Sequence, residues 1–62
     1  MSYMQLKARV IVRLLERGLD EDEMEWAARL ILPALGAHRE ERYINFCVDN
    51  VARLIARDRG AS

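Results

Sequence analysis

The sequence predicts an all-α fold, a compact three-helix bundle running up, down and up. Three observations carry this. Apolar residues recur at the ~3.6-residue spacing of a helix through three successive segments. Ser2 and Asp20 stand where N-caps belong, and Gly18 and Gly36 stand where helices end. The links between segments are short, which makes consecutive helices antiparallel neighbours. The expected spans are residues 2–17, 21–35 and 38–59.

In the first segment, Met4, Ala8, Ile11 and Leu15 form one helical row, and Leu6, Val10 and Leu14 form a second row beside it. Val12 lies on the far flank. Gln5, Arg9, Arg13 and Glu16 make the only clearly polar strip. An apolar arc this wide suits a helix contacted on two sides. Gly18 fits the left-handed position after the helix end, with Leu19 supplying the apolar contact of that cap.

The second segment opens with Asp20 and Glu23 spaced as a capping box. Glu21, Asp22 and Glu23 occupy the first turn, where each negative charge favours the helix by about 0.3–1 kcal/mol at exposed sites. Met24, Ala28, Ile31 and Leu35 make the inward stripe, widened by Ala27, Leu30 and Ala34, with Trp26 further round. Pro33 removes a hydrogen bond to the carbonyl of Arg29 and disfavours helical angles at Leu32, so a kink or break is expected near Pro33. Gly36 then terminates the segment.

The third segment is the longest, and the others pack against it. Tyr43, Cys47, Val51 and Leu54 form its stripe, and Ile44, Val48 and Ile55 broaden it. Arg42, Asp49, Arg53 and Arg57 lie opposite. Glu40 and Glu41 suit the start of this helix and Arg57 and Arg59 its end. Gly60 is expected to close it, leaving Ala61 and Ser62 as a frayed tail.

A chain of 62 residues is one domain at most, spanning 1–62. Such a domain hides only about 60% of the surface its unfolded chain exposes. Small domains compensate with disulfides, metals or association. Cys47 is the single cysteine, so no intrachain disulfide forms, and no His and Cys cluster offers a structural metal site. Association remains, and the 52% hydrophobic content supports it.

Ten basic residues balance ten acidic ones, so no overall field draws in nucleic acid or membrane. The longest uncharged apolar run, Leu30 to Ala37, is far short of the ~20 residues that span a bilayer. No secretory apolar core is visible, and a lone thiol fits the reducing cytoplasm.

Candidate chemistry is sparse. His38 and Cys47 are the only residues of their kind, and nine positions along one helix separate them by roughly 13 Å, too far for a nucleophilic pair. The acidic run Asp20–Glu25 lacks the alternating ligands and central glycine of a calcium loop and is better explained as a capped helix start. No catalytic residue, cofactor or metal ligand is assigned, and the chain does not read as an enzyme.

Arginine carries the electrostatic expectation. Arg9, Arg13 and Arg17 form one row on the first helix, and Arg42, Arg53 and Arg57 a comparable row on the third. Either row suits an acidic partner or a symmetry mate; phosphates are the alternative. A helix-turn-helix reading of the last two segments is weakened by Glu40 and Glu41, which would face phosphates. Phe46, off the main stripe and near Arg42 and Arg53, has the composition of an interface hot spot, with Trp26 next.

The sequence therefore reads as a small, cytoplasmic, non-enzymatic interaction module or regulator. It is expected to act through an exposed apolar helical face as a homodimer, or on a larger protein partner, with the first and third helices packed across a two-fold axis. Leu6, Val10, Val12, Leu14, Trp26 and Phe46 are the expected interface. The alternative is a small nucleic-acid-associated regulator using the two Arg rows.

Overall fold

The computed structural model describes residues 2–61. Ser2 is extended, its hydroxyl accepts the Gln5 N–H at 3.2 Å, and the Gln5 side chain accepts the Ser2 N–H at 2.9 Å. This reciprocal pair caps α1 (Tyr3–Glu16). Gly18, at φ 78°, ends α1 in the left-handed region, and its N–H donates to the Leu15 carbonyl at 3.0 Å. Leu19 turns back into the core.

Asp20 and Glu23 form the second capping box, with the Glu23 N–H donating to Asp20 at 2.8 Å and the Asp20 N–H donating to Glu23 at 2.9 Å. The helix they start, α2 (Glu21–Leu35), continues through Pro33. A break near Leu32 is therefore not found. Leu32 and Leu35 are both buried, and that burial holds the last turn against the hydrogen bond Pro33 removes. Gly36 follows at φ 56°, ψ −123°, and the His38 N–H donates to the Leu35 carbonyl at 2.9 Å. Those angles and that bond belong to a type II′ turn, whose first central residue must be glycine.

The third helix begins later than the sequence suggests. It is α3 (Glu41–Ala61), not a helix from residue 38. The Arg39 guanidinium claims the carbonyls of Gly36 and His38 at 2.7 and 2.9 Å, keeping this stretch in a turn. Glu40 takes the capping place, its carbonyl accepting the N–H groups of Tyr43 and Ile44, each at 3.1 Å. Its carboxyl lies below the usual glutamate value, chiefly because it accepts its own backbone N–H, helped by His38 at 3.3 Å. Gly60 does not close α3, which runs on to Ala61; Ser62 lies outside the described residues.

Each helix packs against both others, and no strand occurs among the described residues. Leu6, Val10 and Leu14 from α1, Ala27, Ala28, Ile31, Leu32 and Leu35 from α2, and Ile44, Val48 and Ile55 from α3 meet in one core with Leu19. No polar side chain is buried among the described residues. The molecule measures 38 × 18 × 18 Å. Its length follows from α3, whose 21 residues at ~1.5 Å each outreach the other two helices.

Candidate interaction surface

The two arginine rows meet different fates. Arg13, on α1, turns onto α3. Its Nε donates to Asn45 Oδ1 at 2.7 Å, one terminal nitrogen to Glu41 Oε1 at 2.6 Å and the other to the Arg9 carbonyl at 3.1 Å. Its side chain is only 14% exposed. One turn on, Arg17 donates to Asp49, with Nε at 3.0 Å from Oδ1. Glu41, Asn45 and Asp49 are spaced four apart, the spacing of Arg13 and Arg17, so one ladder on α3 answers one ladder on α1. Arg13 and Arg17 are thus spent inside the chain, and Asn45 with them. Arg9 shares the row and lends its carbonyl to Arg13.

Arg42, Arg53 and Arg57 stay on the outer side of α3 and are exposed. Arg53 reaches Asn50 Oδ1 at 3.4 Å. Arg59 belongs elsewhere: its Nε donates to Glu23 Oε2 at 2.8 Å, tying the end of α3 to the start of α2. One carboxylate thereby completes a capping box and an interhelical ion pair. The Glu23 carboxyl is held below its usual value, first by Arg59 and then by the Asp20 N–H, and the Arg59 guanidinium is raised in turn.

The expected apolar interface also divides. Leu6, Val10 and Leu14 are buried in the chain's own core and offer no surface. The neighbouring row is the outward one: Met4 is 73% and Leu15 59% exposed, and Val12 stands beside them at 54%. Trp26 and Phe46 are exposed as the sequence suggests, at 50% and 59%. Trp26 lines an open groove between α2 and α3 with Leu54 and Ile55, and Asp22, Asp58 and the Glu23–Arg59 pair rim it. Leu54, assigned to the inward stripe, is half exposed there. Leu30 is one turn beyond Trp26 and is also exposed.

Phe46 stands on the outer side of α3. Arg42 lies one turn before it, Asn50 one turn after, and Arg53 two turns after. An aromatic ring between guanidinium groups suits burial against a second surface that offers apolar contact and carboxylates.

Little in the molecule suggests bond-making chemistry. His38 packs its ring on Tyr43, with centroids 4.9 Å apart, and pairs with Glu40. Cys47 is a half-buried free thiol packed against the core. Among the described residues no three His, Cys, Asp or Glu side chains gather as a metal site would require, and no helix is long and apolar enough to cross a membrane.

No protein-family model, curated protein or solved structure matches this chain.

Proposed function

We propose that this chain is a non-enzymatic protein-interaction module that works as a homodimer, its three helices running up, down and up. The observation behind this is the distribution of exposed apolar side chains. Eight large hydrophobic residues, from Tyr3 to Leu54, are between 46% and 73% exposed, on a chain of 62 residues. Scattered single exposures are ordinary on a soluble protein, but continuous apolar area of a few hundred Å² marks a contact surface. Here the exposed residues fall in rows: Met4, Val12 and Leu15 along α1, Trp26 and Leu30 along α2 beside Leu54 of α3. The dimer then acts by occupying or bridging another protein, in the reducing cytoplasm that suits the free thiol of Cys47.

Sedimentation equilibrium at micromolar concentration tests the assembly. The expected mass is twice that of the 7.2 kDa chain. A single-chain mass persisting to high concentration removes the homodimer. A second reading, a nucleic-acid-associated regulator, loses Arg13 and Arg17 from its rows, because α3 holds them, and rests on the exposed Arg42, Arg53 and Arg57. No retention of duplex DNA at low salt would dispose of it.

A further inference from the structure

The groove between the start of α2 and the end of α3 joins an apolar floor to a rim of one free sign. Trp26 and Leu54 are half exposed in it, and Leu30 stands exposed one turn beyond Trp26. On the rim, Arg59 is already matched by Glu23, so that pair adds no net charge. Asp22 and Asp58 also stand there, and neither has an ion pair among the described residues. Asp22 borders the far side of Trp26 as well, beside Glu25 and Arg29, which pair with one another. Asp20 and Glu21 lie at the same end of α2 and deepen the negative potential.

The two unmatched carboxylates decide what the groove accepts. A purely apolar cover would strip water from both and return nothing, which is unfavourable. The phosphates of a nucleic acid or an anionic lipid surface would meet like charge. The occupant that removes the penalty carries guanidinium or ammonium groups beside its apolar side chains. Its conformation follows from the walls. No strand occurs among the described residues, so no sheet edge is open there to an extended peptide. Two packed helices instead leave a seam into which a third helix sets its side chains. Asp22 and Leu30 are eight residues apart, ~12 Å along α2, and helical anchors at i, i+4 and i+7 span ~10 Å. A second copy fits less well: its Phe46, with Arg42 and Arg53, supplies one apolar anchor for a floor of three. The groove between α1 and α2, rimmed by Lys7, Glu21 and the Glu25–Arg29 pair, carries both signs and names no occupant.

We propose that the Trp26–Leu54 groove is the partner-binding site, and that its occupant is a basic amphipathic helix of another protein. Two or three apolar anchors of that helix cover Trp26, Leu30 and Leu54, and arginine or lysine at one end pairs with Asp22 and Asp58. The inference rests on the interaction-module reading above, not on the homodimer, and supplies the partner's chemistry.

Trp26 is the chain's single tryptophan, so its fluorescence reports occupancy of the groove directly. The probes are three tryptophan-free synthetic peptides of about 16 residues, long enough for an alanine-rich helix. All carry leucine at i, i+4 and i+7, and they differ only in a terminal run of arginine, glutamine or glutamate. The arginine peptide should shift Trp26 emission to the blue, saturate, and bind about tenfold tighter than the glutamine peptide. The glutamate peptide should bind weakest, and salt should shrink the spread. Asp22→Arg with Asp58→Arg should invert the order. Glu16→Arg, on α1 and outside the groove, should leave it unchanged. The two altered aspartates are exposed and unpaired, so the helical circular dichroism should persist in the double variant. Three peptides that bind alike, or none that moves the emission up to about 1 mM, overturn the inference. A dimer that falls to single chains when Asp22 and Asp58 are reversed also overturns it, because a second copy then fills the groove. In each of those cases a dimeric mass for the unaltered chain leaves the interaction-module reading standing. A monomeric mass with the expected order of peptides removes the homodimer alone.

Discussion

Glu23 shows how much one side chain carries in a molecule this small. Its carboxylate receives the Asp20 N–H at the start of α2 and the Arg59 guanidinium from the far end of α3. Both contacts favour the charged form, which is why its titration is displaced downward, Arg59 being the larger cause. A carboxyl whose value is lower in the folded chain than in the unfolded one contributes stability above the unfolded value, near pH 4.5. That contribution is lost as the pH falls through the lower folded value. Glu23→Gln should therefore be less stable than the unaltered chain at neutral pH, and the gap should close in acid. Thermal melts from pH 7 to pH 3 check this; a gap that is constant with pH would mean Glu23 acts by packing alone. Half of the site was legible at this scale. The spacing of Asp20 and Glu23 announces the capping box, whereas the partnership with Arg59 spans 36 positions and only the folded chain creates it.

Among the elements, α1 was the ambiguous one, and the ambiguity has a physical cause. Its two apolar rows are nearly equal in bulk, so periodicity gives the width of the arc but not its centre. The sequence reading placed Leu6, Val10 and Leu14 at an outer interface; the fold buries them and exposes Met4 and Leu15 instead. The deciding signal lay in charge. Arg13 and Arg17 border the buried row, and Glu41, Asn45 and Asp49 repeat their spacing on α3. Docking these two ladders turns Leu6, Val10 and Leu14 inward. Boundaries were clear where a cap or a glycine marked them, as at Ser2, Gly18, Asp20 and Gly36. The start of α3 was not, because Glu40 does the work of a cap without being a usual cap residue. The ladder also predicts unequal responses. Arg13 is 14% exposed and donates to three oxygens, so Arg13→Ala should lower stability by about 1.5–3 kcal/mol in urea titrations. Arg17 and Asp49 are 37% and 44% exposed, and their coupling in a double-mutant cycle should be about 0.2–1 kcal/mol. Equal losses at the two positions would argue against the ladder as the device that orients α1.

For the molecule as a whole, the question is how a chain this short divides its apolar residues between its own core and a partner. A domain of this size has about 3–5 kcal/mol in hand from its core. Removing Leu14, fully buried where the three helices meet, leaves a cavity costing about 2–5 kcal/mol, comparable with the whole. Val12, two residues earlier and 54% exposed, touches none of that core, and Val12→Ala should stay within about 0.5 kcal/mol. Leu→Ala removes one methylene more than Val→Ala, but the larger difference is which side of the helix each residue faces. Far-ultraviolet circular dichroism in increasing urea should find Leu14→Ala largely unfolded before denaturant is added and Val12→Ala close to the unaltered chain. The reverse order would put the other row of α1 inside, and the clamp of Arg13 and Arg17 onto α3 could not then form. The proposed homodimer adds a dependence on concentration. A dimer's midpoint rises with concentration because its copies stabilise one another by mass action, so raising the concentration should rescue part of Leu14→Ala. On the homodimer proposed above, that rescue should shrink when Phe46→Ala is added, because Phe46 is 59% exposed and lies outside the chain's own core.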